Sequence, residues 1–248
     1  MKDKKLAVLI DADNVPYAQV KEMLNEIAKY GNPTIKRIYA DWTKPTVSGW
    51  KNILLENAIT PIQQYSYTTG KNSSDSALII DAMDLLYSKK VDGFCIVSSD
   101  SDFTRLATRL REAAMFVIGI GEKKTPQPFI TACDKFIYIE ILKKAQEADS
   151  NERPKKQHNS KTEPSSVSKI DKNLIKLMKE SIDEISDDNG WVFLGTLGSY
   201  MIKKKTDFDP RNYGFPKLYP LIKQIGVFEI EEKETGKNNI RHIYIKNK

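Results

Sequence analysis

From residue 6 to residue 142 the chain alternates short, wholly apolar runs with longer amphipathic ones, and that alternation leaves few folds open. A short apolar run bounded by turn signals reads as a strand buried on both faces. A strand–helix–strand series then builds a largely parallel sheet with helices on both sides. Strands are expected at Leu6 to Ile10, Thr34 to Tyr39, Ile59 to Tyr65, Gly93 to Ser98, Met115 to Ile120 and Lys135 to Ile139. Helices are expected over Pro16 to Tyr30, Val47 to Glu56, Ser74 to Ser88 and Ser101 to Ala114, with Pro16 opening and Gly31 closing the first. The expected fold class is α/β.

Residues 147–168, EADSNERPKKQHNSKTEPSSVS, contain no aromatic residue and almost nothing to bury, which is the composition of a flexible linker. They separate a domain at 1–146 from a second at 169–248. In the second, Ile170, Leu174, Ile175, Leu177, Met178, Ile182 and Ile185 recur at helical spacing. Two shorter helical segments follow Trp191-Val192-Phe193-Leu194, and Val227 to Glu231 and Ile240 to Ile245 alternate as strands. Three helices closed by a β-hairpin suggest a small winged helix-turn-helix.

The composition narrows the chemistry. Cys95 and Cys133 lie in separate apolar segments, so there is neither a disulfide framework nor a CxxC metal pair. With His158 and His242 the only histidines, zinc sites and histidine triads are close to excluded. No run approaches the roughly 18 apolar residues of a membrane span, and Met1-Lys2-Asp3-Lys4-Lys5 leads straight into a strand, so a cytoplasmic protein is expected. The net charge of +6 favours a polyanionic partner only weakly.

The acids carry more information. In an open parallel sheet ligands bind beyond the carboxyl ends of the strands, where loops converge and helix N-termini point. Asp11, Asp13 and Asn14 follow the first strand, Asp100 and Asp102 follow the fourth, and Asp75 opens the helix after Thr69-Gly70-Lys71-Asn72-Ser73-Ser74. If the strands of Asp11 and Asp100 are neighbours, several carboxylates share one small space and repel unless a cation binds. Oxygen ligands without His or Cys select Mg²⁺ or Mn²⁺. Singly, Asp100 or Ser101 could be a helix cap and Asp75 a complement to its own helix dipole. Asp81 and Asp84 read as a solvated helix face, with Asp81 a possible support to the site. Asp134 reads as a peripheral ligand or a turn residue, and Trp42, beside Asp41, as a base platform or a rim filler.

Leu6-Ala7-Val8-Leu9-Ile10-Asp11-Ala12-Asp13-Asn14, Lys71-Asn72-Ser73-Ser74-Asp75, Ile96-Val97-Ser98-Ser99-Asp100-Ser101-Asp102-Phe103 and Cys133-Asp134-Lys135-Phe136-Ile137-Tyr138 together resemble a NYN domain of the LabA-like branch, within the PIN-like nuclease superfamily. The resemblance spans residues 5 to 142. Ser99 departs from a frequent Gly, and Asn72-Ser73 from a common Gly-Val. It implies a Rossmann-like fold and metal-dependent RNA cleavage, with Asp11, Asp75, Asp100 and Asp102 as the acidic quartet and Asn14 nearby. Such a reaction needs metals and acids but no His. Lys71 and Arg105 are candidates to ground phosphates, and Ser98 and Ser99 to hold a phosphate oxygen, with ordinary loop and helix roles as alternatives for the two cations.

Asp188-Asn189-Gly190-Trp191 through Leu197-Gly198-Ser199-Tyr200, leading into Phe208-Asp209-Pro210-Arg211-Asn212-Tyr213-Gly214-Phe215-Pro216-Lys217-Leu218, resembles an OST-HTH/LOTUS domain, a winged helix associated with RNA. Trp191, Leu194, Leu197, Leu218 and Leu221 have core spacing. Lys203, Lys204, Lys205, Arg211, Lys217 and Lys223 face only Asp207 and Asp209 in the same stretch, a local excess of cations for phosphates, with Tyr213 and Tyr219 as stacking candidates. A protein-docking module with solubilising lysines is the alternative.

The expected protein is thus a Mg²⁺- or Mn²⁺-dependent ribonuclease tethered to an RNA-binding winged helix. Its rivals are a non-catalytic RNA-binding or scaffold protein and a haloacid-dehalogenase-type phosphatase, which also presents Asp-x-Asp after a buried strand. For the latter, Asn14 and the Asp100/Asp102 spacing are of the wrong kind.

Overall fold

Leu6, Val8 and Ile10 point to one side of the first strand and Ala7 and Leu9 to the other, and all five are buried. A strand apolar on both faces needs a neighbour on each edge and a helical layer on each face. The computed structural model, which describes residues 3–65, 73–142, 170–234 and 241–248, provides both. The chain divides into two compact units, Met1–Pro154 and Lys155–Lys248.

In the first unit the order is β1 (Lys5–Asp11), α1 (Val20–Ile27), β2 (Asn32–Ala40), α2 (Trp50–Glu56), β3 (Thr60–Gln63), α3 (Ser73–Ser88), β4 (Gly93–Val97), α4 (Thr104–Glu112), β5 (Phe116–Gly121), α5 (Gln127–Ala132) and β6 (Lys135–Tyr138). The six strands form one sheet in the order β3-β2-β1-β4-β5-β6, every pair parallel. Val20, Met23 and Ile27 of α1 and Trp50 and Leu54 of α2 cover one face; Leu78, Ala82 and Leu85 of α3, Leu106 and Leu110 of α4 and Phe129 of α5 cover the other. The chain runs outward from β1 in both directions, so the order reverses between β1 and β4. In an open parallel sheet, the crevice that receives ligands lies beyond the carboxyl ends of the strands at such a reversal.

The sequence pattern overruns some helices. Tyr17–Gln19 and Ser101–Phe103 are tight 3₁₀ turns ahead of α1 and α4, and the Asp100 carboxylate accepts the Asp102 N–H to form the second. The six-residue α5, buried through Phe129 and Ile130, is too short for a 3.6-residue period to register. Gly31 does not close α1, which ends at Ile27. It lies where a Cβ would come within 2.5 Å of the Lys4 carbonyl, so the close approach of the chain to the start of β1 requires it.

The second unit holds α6 (Lys172–Ile185), β7 (Val192–Phe193), α7 (Leu194–Lys204), α8 (Leu218–Ile225), β8 (Phe228–Glu234) and β9 (Arg241–Asn247). The strands pair antiparallel in the order β7-β9-β8, the wing of a winged helix. Asp171 caps α6 through the Leu174 N–H at 2.8 Å, and Gly226, at φ 72°, closes α8 in the left-handed region. Leu174, Met178, Ile182, Leu197, Met201 and Leu221 form the core between the helices. The expected linker, 147–168, lies outside the described residues.

Candidate active site

β1 and β4 are hydrogen-bonded neighbours, with Ile10 opposite Val97. This adjacency brings the acids of the two strand ends together. Asp11, the last residue of β1, is 1% exposed. Its Oδ1 accepts the Asp13 N–H at 3.2 Å, and its Oδ2 accepts from the Ser98 hydroxyl at 3.0 Å. The Ser98 oxygen in turn accepts the Asp100 N–H at 3.1 Å, and Asp100 Oδ1 accepts the Asp102 N–H at 2.9 Å. Both aspartates therefore cap the tight turns that follow them, and the capping role coexists with membership of the cluster. The Ser98 hydroxyl ties the two strand ends together. That of Ser99 accepts the Glu122 N–H at 2.9 Å and ties β4 to the end of β5.

Asp75 enters from the first turn of α3. Carboxylate oxygens of Asp75, Asp100 and Asp102 lie within 4.8 Å of one another, a spacing that one cation can bridge. Asp75 is 8% exposed, Asp100 half-buried and Asp102 exposed, so the cluster opens from a buried base towards solvent. Burial first, then the fields of Asp11, Asp100, Asp102 and Asp13, push the Asp75 carboxyl up to about 6. All four fields come from acids. Asp13, which sequence reasoning placed at the strand end but left out of the acidic quartet, belongs to this environment, and the Asp-x-Asp repeat was its signal. Every donor at the cluster is a carboxylate oxygen, the set that suits a hard divalent ion.

The other candidates fall in different places. Arg105 is exposed in the first turn of α4. Lys71 and the side chain of Asn14 lie outside what the structure describes; the Asn14 backbone ends the turn that Asp11 caps. Asp134 is no ligand: it lies at the opposite end of the sheet, where it accepts the Val117 N–H at 2.9 Å and pairs with Arg111 at 2.9 Å. Asp41 holds the turn after β2 through Thr43 and Gln63. Asp81 is not on a solvated face. It pairs with Arg37 and accepts from the hydroxyl of Tyr39, a fully buried residue that lies opposite Asp11 in the β1–β2 register. Burial and the bond to Asp81 raise the Tyr39 hydroxyl far above its ordinary value, so it stays a neutral donor. This clamp fastens α3, and with it Asp75, across β2.

In the second unit the basic stretch is partly engaged internally. Lys204 pairs with Glu184, Lys205 reaches the Tyr213 hydroxyl at 3.4 Å, and Arg211 grips the buried Asp209 with two bonds at 3.0 and 2.7 Å. Tyr213 is buried against Phe208, with ring centroids 6.4 Å apart, so it is core and not a stacking platform. Lys203 and Lys217 are exposed.

The search of curated proteins found no match. Among solved structures, a protein of unknown function from Vibrio parahaemolyticus is similar at 22% identity and TM-score 0.47, covering 55% of this chain and 93% of its own. An uncharacterised protein from Nitrosomonas europaea is similar at 27% identity and TM-score 0.30, over 40% of this chain and 91% of its own. A Chromobacterium violaceum domain is similar at 30% identity and TM-score 0.26, over 30% of this chain and 78% of its own. Residues 165–240 match the OST-HTH/LOTUS domain model, and residues 5–140, more than half of the chain, match the NYN domain model. The chain therefore belongs to the NYN domain family and carries an OST-HTH/LOTUS domain behind it.

Proposed function

We propose that the chain is a ribonuclease that hydrolyses RNA phosphodiesters with Mg²⁺ or Mn²⁺ at the crevice between β1 and β4. Its domains in this reading are a nuclease at 1–146 and an RNA-holding module at 169–248, joined by a tether at 147–168. The family supports the class, since NYN domains belong to a nuclease superfamily and OST-HTH/LOTUS domains bind RNA. The observation that carries the reading is the placement of Asp75, Asp100 and Asp102 within 4.8 Å of one another at the end of a parallel sheet. After burial, the groups that raise the Asp75 carboxyl are its acidic neighbours Asp11, Asp100, Asp102 and Asp13.

Asp75, Asp100 and Asp102, with Asp11 behind them, would hold the ion. When bound, it supplies Lewis-acid activation of water and neutralises charge developing on the phosphate. The residues do the rest. Ser98 fixes one oxygen of Asp11 and the backbone of Asp100, so the two strand ends keep their relative position. Asp75, pushed up to about 6, is largely ionised at neutral pH, and a bound cation would offset the repulsion of its neighbours. Tethering a second RNA-binding module raises the local concentration of RNA at the crevice, so two weak contacts make one useful affinity.

Titrating Mn²⁺ and Mg²⁺ into the full chain with end-labelled RNA, beside a small aryl phosphate, tests this reading. Metal-dependent scission of the RNA with the aryl phosphate left intact is the expected outcome. Hydrolysis of the aryl phosphate alone would make the protein a phosphatase, and RNA binding without scission a non-catalytic binder.

A further inference from the structure

Alongside the crevice, on the outer edge of the sheet, a groove of about 670 Å³ runs between α2 and the edge strand β3. We infer that this groove seats the single-stranded RNA flanking the cleaved phosphodiester, an assignment that rests on the nuclease reading above. Its floor is apolar: the buried Leu54, Leu55, which is 80% exposed, and the exposed Pro61 line it. Trp42 forms one wall. Its indole N–H donates to the Ile62 carbonyl at 2.9 Å, and its backbone N–H donates to Gln63 Oε1 at 2.9 Å, so the ring is held in place before any ligand arrives. A fixed aromatic ring beside aliphatic side chains suits an unstacked base, since every base has a π-face.

Charge and position select nucleic acid over protein. Among the described residues that line the groove, the charged ones are Lys44 and Lys51, both exposed cations. A strand of RNA crossing the acids of the crevice would leave them for two cations. Trp42 is the second residue beyond the end of β2, whose Tyr39 lies opposite Asp11. β3 is two strand spacings from β1, about 10 Å at ~4.8 Å each, within reach of neighbouring nucleotides. A second copy adding a strand to β3 is disfavoured because Pro61 has no N–H to give to a ladder on that edge.

The test uses the full chain carrying Asp100→Asn, so that bound RNA stays whole, and a single-stranded oligoribonucleotide containing 5-iodouridine. Photo-cross-linking followed by peptide mapping is expected to place an adduct on Trp42. In parallel, Lys44→Glu with Lys51→Glu is expected to weaken RNA binding by about tenfold and to flatten the dependence of log K on log salt by about 1.4, at ~0.7 for each lost phosphate contact, in protein whose melting shows that it is folded. If wild-type protein cleaves RNA but Trp42 takes no adduct and the double variant binds as tightly as before, the groove assignment fails while the nuclease reading stands. If the full chain neither binds nor cuts RNA, the nuclease reading fails and takes the groove with it. Concentration-dependent self-association that the double variant abolishes, with no adduct on Trp42, would give the groove to a second copy.

Discussion

Asp75→Asn separates what the acidic cluster costs the fold from what it does for function. An isolated aspartate titrates at 3.8, and Asp75 in the folded chain at about 6. Between these values the folded state keeps a proton that the unfolded chain has released, so this group lowers the unfolding free energy as pH rises, and the full penalty is present above about 6. At about 1.36 kcal/mol per pH unit the gap corresponds to about 3 kcal/mol; solvent screening at a crevice open on one side leaves about half of it. Losing a favourable negative charge at the start of α3 returns about 0.5 kcal/mol. Asp75→Asn is therefore expected to stabilise the metal-free chain by about 1 kcal/mol at neutral pH, a rise of about 3 °C in the melting of a domain of this size. Thermal melts in chelator, from about pH 4 to about pH 7, measure it. The gain should vanish towards the acid end. A variant that is less stable than wild type at neutral pH, or a difference that ignores pH, would refute the argument from crowded carboxylates.

Three further outcomes are expected. Adding Mg²⁺ or Mn²⁺ should raise the melting temperature, by about 2.7 kcal/mol of stability at a hundredfold excess over Kd, and an Asp11→Asn, Asp102→Asn double variant should lose most of that response; calorimetric scans with and without metal decide. Asp81→Asn should cost about 2–3 kcal/mol in urea unfolding because it removes the charge that pairs with Arg37 and turns one of the two oxygens accepting from Arg37 and buried Tyr39 into an NH2 donor, and the same variant should bind Mn²⁺ more weakly, since α3 carries Asp75. Replacing the exposed Lys203 and Lys217 with Gln should flatten the salt dependence of RNA binding by the full chain by up to about 1.4, whereas Lys204, already paired with Glu184, should contribute less.

The main lines of both units were legible because they rest on periodicity. The buried strands of the sheet announce themselves as apolar runs, and the helix from Lys172 to Ile185 as a repeat at 3.6. The acids at the ends of β1 and β4 were legible for a related reason, since a parallel sheet converts sequence position into a shared edge. What stayed hidden depends on contacts between elements distant in sequence. Nothing local marks Asp81 as the partner of Arg37 and Tyr39, because β2 and α3 meet only in the folded sheet. Asp134 read as a peripheral ligand or a turn residue; because it precedes its strand, it lands at the amino end of the sheet beside Arg111. The lysine run from Lys203 to Lys205 read as one basic patch. In the fold its members diverge, one exposed, one paired with Glu184 on another helix and one turned towards the buried Tyr213.

The most direct measurement is the rate of RNA scission by purified full-length chain under saturating Mn²⁺, for wild type, Asp11→Asn and Asp100→Asn, with RNA affinity measured on the same preparations. Because the two residues come from adjacent strand ends and are linked through Ser98, each replacement should remove scission by at least about a hundredfold while leaving affinity within about twofold. Scission that persists at the wild-type rate in both variants would show that the crevice between β1 and β4 is not the place where the phosphodiester is cut.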